Sequence, residues 1–305
     1  MTTFSSIGAT VQAFENCTLG FQNEKYYLHK ENPYFGATIG PVANRLYQSE
    51  GIVLHGGEES WTWKEWKRSE EGHVTKFELN DGDIDAHVTY TVTKPNSNTT
   101  QLEIEYLAKS KEGKSVPVSM TNHSYFCLGQ DGENVTVDDH ELWLCNDRVI
   151  EHKGGLQSEA PTGELVACKP LDEAVKKSEQ PQDSQGFHIS LNGVPLDHTF
   201  AVDNQRLSEP KLDTREDPLV TVAVMSRDKT RLTVKTTEPC FQVYTGDYNN
   251  ASLLPGESRA FGARSGVAIE CSRPTNAWNV PKWKNWADLG NGEYGAKIVY
   301  VLERM

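Results

Sequence analysis

The chain has 305 residues, of which 37% are hydrophobic and 24% are charged, and its formal net charge is −13. This negative charge argues against a nucleic-acid partner, because proteins bind nucleic acids largely by neutralising phosphates with Lys and Arg. No segment approaches the roughly 18 apolar residues that a membrane-spanning helix needs, so we also expect no membrane partner.

Cysteine usage and local signals predict a cytoplasmic chain. The six cysteines show no CxxC pairing, which favours free thiols over a disulfide framework. Residues 1–5 give no charged segment followed by an apolar run, so we expect no secretion signal. The segment Asn122-His123-Ser124 matches a glycosylation sequence, but a glycan there would cover a histidine whose neighbours are typical of a functional site.

Strand patterns dominate the chain, and helix signals are nearly absent. Alternating or β-branched segments predict strands at residues 75–79, 87–93, 102–107, 220–224, 231–236, 241–245 and 297–302. Turn sequences lie at residues 80–83, 94–98 and 111–114. The polar stretch 172–186 is typical of a surface loop or a short helix. Because strands continue to the last residues without a change in composition, we predict an all-β fold with one large antiparallel domain over residues 1–305.

Two polar residues stand out in the first sixty positions. Arg45 follows the small residues of segment 34–46, and its guanidinium suits hydroxyl-rich or carboxylate partners. An exposed loop arginine is the plainer interpretation. His55 precedes two glycines, where the backbone can approach a ligand closely, although a histidine in an ordinary turn would have the same neighbours.

Three further candidates follow along the chain. His123 is flanked by hydroxyls, an amide and aromatic rings, which could set its pKa and tautomer, or it is a satisfied core histidine. Asp197 precedes His198 in what is otherwise a polar turn before a strand. Glu270 directly follows an apolar run, and a carboxylate at the end of a buried strand must be paired or functional, since isolated burial costs several kcal/mol. The structural alternative is an ion pair with Arg273.

The order of these segments resembles the aldose 1-epimerase (galactose mutarotase) family from about residue 18 to the C-terminus. The most specific matches are Asn122-His-Ser-Tyr-Phe126 and Val243-Tyr-Thr-Gly246. The segments Ala43-Asn-Arg-Leu46, Leu54-His-Gly-Gly57 and Leu196-Asp-His-Thr-Phe200 follow the family's order. The resemblance implies a large single-domain antiparallel β-sandwich with an open sugar cleft, acting without metal or cofactor.

The resemblance also implies roles for individual residues. His123 matches the general acid and Glu270 the general base of the ring opening that interconverts the α and β anomers of a free aldose such as galactose or glucose. That chemistry requires Glu270 to be unprotonated while His123 is charged, and each ionised form would favour the other. The substrate-binding groups implied by the resemblance are Asn44, Arg45, His55, Tyr125, Asp197 and Gln242.

Departures from the family pattern bear on the identity of the sugar. Only eight residues, 47–54, separate the Asn44-Arg45-Leu46 and His55-Gly-Gly segments, and Pro41 stands where the family commonly has arginine. Six tryptophans could stack on a sugar, although packing is the plainer explanation. They are Trp61, Trp63, Trp66, Trp278, Trp283 and Trp286.

Three other functions stay open on the sequence. A hexose-6-phosphate 1-epimerase would need cations converging on a phosphate, and the candidate arginines are few and scattered. They are Arg45, Arg68, Arg148 and Arg273. A carbohydrate-binding protein without turnover would not demand both an acid and a base. A zinc site of His55, His123 and Glu270 lacks any short ligand spacing. The expected partner is a small sugar, with the chain acting as a monomer or homodimer.

Overall fold

The computed structural model describes residues 1–49, 51–129, 136–152, 160–177, 186–258 and 260–305. The strands within these ranges are β1 Thr3–Ser5, β2 Thr10–Ala13, β3 Thr38–Ile39, β4 Arg45–Gln48, β5 Gly51–Leu54, β6 Lys67–Glu71, β7 Val74–Asp81, β8 Ile84–Asn96, β9 Thr99–Ser110, β10 Thr121–Asn122, β11 Tyr125–Phe126, β12 Glu141–Leu144, β13 Arg148–His152, β14 Pro161–Ala167, β15 Phe187–Ser190, β16 Asp197–Ala201, β17 Val220–Arg227, β18 Thr230–Thr236, β19 Cys240–Tyr244, β20 Val267–Ser272 and β21 Glu293–Arg304. The α-helices are α1 Lys169–Lys177 and α2 Asn204–Ser208. Short 3-10 helices cover Glu24–Leu28, Gly57–Glu59, Trp61–Trp63, Ala277–Asn279, Lys284–Trp286 and Leu289–Asn291. In the part of the chain that the structure describes, none of the helices has the length and apolarity of a membrane span.

A nine-stranded antiparallel sheet forms one layer, in the order β15-β12-β17-β18-β21-β9-β8-β7-β6. Its long strands β8 and β9 alternate between buried and more exposed positions, as expected for a sheet with one face in the core. Tyr90, Ile104 and Tyr106 are among the side chains that this alternation buries completely. The predicted all-β architecture is therefore confirmed, and the seven predicted strands all lie within observed strands or extend them by one residue.

The second layer is a six-stranded antiparallel sheet in the order β11-β20-β19-β16-β13-β14. One face packs on the nine-stranded sheet, where the rings of Phe126 and Tyr300 lie 4.9 Å apart. All six residues of β20 are buried, so this strand is covered on both faces. Successive side chains of a strand point to opposite faces, so the six-stranded sheet also has a second, more polar face.

Local differences from the sequence predictions have physical causes. Glu270 is the fourth residue of β20, so the carboxylate lies inside the strand and not at its end. The alternative pair with Arg273 is wrong, because the Arg273 guanidinium binds Glu238, with Nη1 2.8 Å from Oε2, and both side chains are fully buried. Helix α1 includes the start of the polar stretch 172–186, whose residues 178–185 lie outside the described residues.

The tryptophans serve mainly as core. Trp61, Trp66, Trp283 and Trp286 are each at most 2% exposed, which supports the packing explanation for these four. Trp63 is partly exposed, and its ring centroid lies 5.3 Å from that of Tyr34. The six cysteines are free thiols, as predicted.

Candidate active site

The polar face of the six-stranded sheet brings distant candidates together. Thr199 of β16 pairs with Gln242 of β19, which in turn pairs with Glu270 of β20. Side chains of directly paired residues lie on the same face, so these three form one row. Asp197 of β16 pairs with Tyr244 of β19, and each lies two residues from Thr199 or Gln242 on its own strand. Both side chains therefore lie on the same face. Register alone thus unites residues separated by more than seventy positions in the chain.

His123 reaches this face from the connection between β10 and β11. Its backbone N–H donates to the Ala37 carbonyl at 2.9 Å, and its carbonyl accepts from the Gly36 N–H at 3.0 Å. The imidazole Nε2 lies 3.4 Å from Oε1 of Glu270, and both side chains are only 4% exposed. The two residues predicted as acid and base therefore face each other in a buried contact.

The hairpin of β4 and β5 positions the next pair. Asn44 and His55 flank its open end, and the His55 N–H donates to the Asn44 carbonyl at 2.7 Å. The Asn44 N–H donates to Nδ1 of His55 at 3.2 Å, so the neutral ring carries its proton on Nε2. Both residues have left-handed backbone, with φ of 59° and 51°. Strained backbone of this kind clusters at functional sites.

Four predicted sugar-binding residues form a closed ring of polar contacts. Arg45 Nη1 donates to Asn44 Oδ1 at 3.1 Å, and Asn44 Nδ2 donates to Gln242 Oε1 at 3.1 Å. Gln242 Nε2 donates to Asp197 Oδ1 at 2.6 Å, and Asp197 Oδ2 lies 3.7 Å from Arg45 Nη2. The Arg45 and Asp197 side chains are 13% and 33% exposed, so the site opens to solvent on their side.

Aromatic rings surround the imidazoles. The Tyr34 ring centroid lies 4.8 Å from that of His55 and 5.8 Å from that of His123. The Tyr125 ring centroid lies 5.0 Å from that of His123. Tyr34 is partly exposed and has left-handed backbone, with φ of 65°. Tyr34 belongs to the segment 34–46 but was not predicted as a site residue, because nothing in the sequence indicates its backbone conformation.

Burial pushes the acid and the imidazole toward their neutral forms. Desolvation, with a smaller contribution from the Asp197 charge and opposed by Arg45, raises the pKa of Glu270 to about 8. Desolvation lowers the pKa of His123 to about 4, and among the described residues its Nδ1 has no hydrogen-bond partner that would stabilise an imidazolium. Near neutral pH both shifts favour a single proton on the pair, held by Glu270. These directions run against the expected ion pair of carboxylate and imidazolium.

A metal site does not fit these residues. Ligand atoms of His55, His123 and Glu270 all lie within 4.8 Å of one another, so the fold does unite the three proposed zinc ligands. However, Nδ1 of His55 already accepts the Asn44 N–H, and Nε2 of the neutral ring carries the proton. Burial also lowers the pKa of His55 well below its usual range, and the neighbouring His123 and Arg45 act in the same direction. His55 thus presents a hydrogen-bond donor, not a lone pair.

Only one of the four candidate arginines reaches this site. Arg45 belongs to the polar ring, whereas Arg273 is committed to Glu238 in the core. Arg68 donates to the Phe4 carbonyl and also pairs with Glu70. Nε of Arg148 lies 3.7 Å from the carboxylate of Asp147. The arginines that a phosphate would need therefore do not converge.

Two threonines of the site were not predicted. Thr199 Oγ1 donates to Gln242 Oε1 at 2.6 Å and lies 2.7 Å from Oγ1 of Thr275. Thr199 lies two residues after Asp197 on β16 and so shares its face. The sequence indicated only a polar turn before a strand at this point, so Thr199 gave no signal. Thr275 follows β20 in an irregular segment, where no periodicity indicates direction.

Comparison with known proteins decides the family. The family model for aldose 1-epimerase matches residues 1–301. The chain belongs to the aldose 1-epimerase family. The predicted resemblance is thereby confirmed.

Relatives and solved structures agree with this membership. The chain is 32% identical to the bifunctional protein GAL10 of Pachysolen tannophilus over 98% of its length, and it spans 45% of that protein. It spans less than half of the GAL10 relatives from Kluyveromyces lactis and Schizosaccharomyces pombe as well. It is 29% identical to a galactose mutarotase of Sus scrofa, with 90% of this chain and 83% of that protein covered.

Among solved structures, a GalM/aldose epimerase homologue from C. elegans superposes with a TM-score of 0.75 at 21% identity, covering 100% of this chain and 95% of the other. A galactose 1-epimerase from Lactobacillus acidophilus gives a TM-score of 0.66 at 21% identity, covering 99% and 91%. At this identity the likeness shows a shared fold. It agrees with the two-sheet architecture described above.

The neutral state of Glu270 has a consequence for stability. Because its pKa is raised in the folded protein, the stability it contributes is present in full below its unfolded pKa and is lost as the pH rises to about 8. We therefore expect Glu270→Gln to be more stable than the wild type at pH 8, with a gap that closes toward pH 4.5. Denaturant unfolding across this range measures the gap. The exposed control Glu112→Gln should show no comparable trend, and a pH-independent gap for Glu270→Gln would refute the assignment.

Proposed function

We propose that this chain is a mutarotase that interconverts the α and β anomers of a free aldose such as galactose or glucose. The observation that carries the proposal is the buried 3.4 Å contact between His123 Nε2 and Glu270 Oε1. Ring opening needs a base at the anomeric hydroxyl and an acid at the ring oxygen, and this pair supplies both with one shared proton. Relatives named galactose mutarotase support the choice of sugar. As part of the proposal we assign the activity to the cytoplasm, in line with six free thiols.

The mechanism starts with a proton shift. As the sugar enters, its hydroxyls hydrogen-bond to the Glu270 carboxylate and stabilise the ionised form, and the Glu270 proton passes to His123 across their contact. Glu270 then takes the proton of the anomeric O1, and His123 gives its proton to the ring oxygen O5. The C1–O5 bond breaks while C1 and O1 form an aldehyde. The aldehyde turns about C1–C2, O5 attacks the opposite face of C1, and both protons return.

The neighbouring groups hold the sugar and stabilise charge. The Nε2–H of His55 donates to an oxygen of the reacting centre, where negative charge develops. Arg45, Asn44, Gln242 and Asp197 bind the remaining hydroxyls as one preorganised ring. A phosphorylated sugar is less well matched, because the other candidate arginines are committed elsewhere.

Substitution of either member of the pair tests the proposal. Glu270→Gln and His123→Asn keep the approximate shape but remove the base or the acid, and each should lower kcat by about 10²-fold or more. Polarimetry on freshly dissolved α-galactose and α-glucose measures the rate above the protein-free rate. The matched control is Glu141→Gln, which removes a carboxylate of β12 in the other sheet and should leave the rate unchanged. Turnover of 6-phosphorylated hexoses alone would support the phosphate-specific alternative, and binding without turnover would support the binding protein.

The shared proton also predicts a bell-shaped pH profile. Below pH about 4 both members are protonated and no base exists, and above pH about 8 neither is protonated and no acid exists. We therefore expect kcat/KM to rise near pH 4, stay high between, and fall near pH 8. Polarimetric initial rates with protein-free subtraction at each pH give the profile. An activity that keeps rising through pH 9 would contradict a role for the protonated pair.

A further inference from the structure

Gln242 is the central member of the polar ring, and both acceptor positions and one of the two N–H donors of its amide are used within the protein. Its Oε1 accepts from Asn44 Nδ2 at 3.1 Å and from Thr199 Oγ1 at 2.6 Å. Its Nε2 donates to Asp197 Oδ1 at 2.6 Å. Asn44 Nδ2 can only donate and a carboxylate oxygen can only accept, so the Gln242 amide has one favourable orientation.

Thr199, on β16, donates one of the two hydrogen bonds to the carbonyl of this amide, and Asn44, at the hairpin end, donates the other. A hydroxyl has one proton, and the Thr199 proton goes to Gln242, so Thr275 must be the donor in the 2.7 Å contact between the two hydroxyls. The direction of donation therefore runs from Thr275 through Thr199 and Gln242 to Asp197. Both threonines are at most 3% exposed, and hydrogen bonds in such buried chains polarise one another.

We propose that Thr199 is a positioning residue for sugar binding, supported by Thr275, an inference that rests on the proposed function. By holding Oε1 of Gln242, Thr199 keeps Nε2 on Oδ1 of Asp197. The second carboxylate oxygen, Oδ2, then stays on the side of Arg45, where the site opens to solvent. Without the Thr199 hydroxyl, Gln242 loses one of two donors to its carbonyl, and the Asp197 carboxylate loses its fixed orientation.

The chemistry at the anomeric centre should be spared by such a change. Thr199 contacts Gln242 and Thr275, whereas the contact of His123 with Glu270 is made without it. Loss of the hydroxyl therefore weakens binding of the ground state and the transition state alike, which raises KM and leaves kcat nearly unchanged.

Isosteric replacement tests this inference. Thr199→Val keeps the volume and removes the hydroxyl, and we expect KM and the sugar Kd to rise about 3- to 10-fold with kcat within about twofold. Thr199→Ser should restore KM toward the wild-type value, and Thr275→Val should give a smaller increase. The matched control is Thr236→Val, which removes the hydroxyl of a fully buried strand threonine in the other sheet and should change neither constant.

A double-mutant cycle separates positioning from general damage. If Thr199 acts through Gln242, the effect of Thr199→Val should disappear in a Gln242→Ala background. Polarimetry gives kcat and KM, and calorimetry with galactose and glucose gives Kd. An undiminished effect in that background, an equal loss in Thr199→Ser, or a fall in kcat at constant KM overturns the inference. A wild type that binds sugar without turnover overturns the proposed function alone, since Kd still tests Thr199. A wild type that binds neither sugar overturns both.

Discussion

The contact between the Glu270 carboxyl and the His123 imidazole is the constraint on which the site depends. Two ionisable groups lie within 3.4 Å of each other, and because each side chain is only 4% exposed, bulk solvent does little to stabilise their charged forms. Burial therefore moves their pKa values apart in the directions that leave one proton on the pair near neutral pH. A pair with one proton always contains one acid and one base, whichever member holds the proton. The proposed ring opening of a sugar demands both at once, so burial of this pair suits the proposed reaction.

Two structural devices hold the pair and its surroundings. The register of β16, β19 and β20 aligns Thr199, Gln242 and Glu270 in one row. If one of these strands slipped by one residue, its side chain in this row would point to the opposite face of the sheet, toward the core. The hairpin end at Asn44 and His55 is closed by two reciprocal hydrogen bonds in strained backbone. The same contact fixes the His55 tautomer, which excludes the metal interpretation and leaves a donor in the site. The strands therefore fix the row of Thr199, Gln242 and Glu270, and the strained backbone at the hairpin end fixes Asn44 and His55.

Much of this architecture could be predicted from local sequence. Long alternating segments such as β8 and β9 were found because period-two patterns are clear over many residues. Two-residue strands such as β10 and β11 have too few residues for a period, although His123 between them was found from its polar neighbours. Protonation could not be read from the sequence. The protonation of the pair depends on its burial by segments that are distant in the chain, which strand patterns do not reveal.

A crystal structure with a bound aldose tests the central claim most directly. With galactose or glucose bound, we expect O1 and O5 of the sugar each within about 3 Å of one member of the His123–Glu270 pair, and hydroxyls on the ring of Arg45 and Asp197. The Glu270→Gln variant would hold the sugar long enough for such a complex. A sugar bound on the polar sheet face with C1 remote from both side chains would contradict the account, as would a sugar bound elsewhere on the molecule.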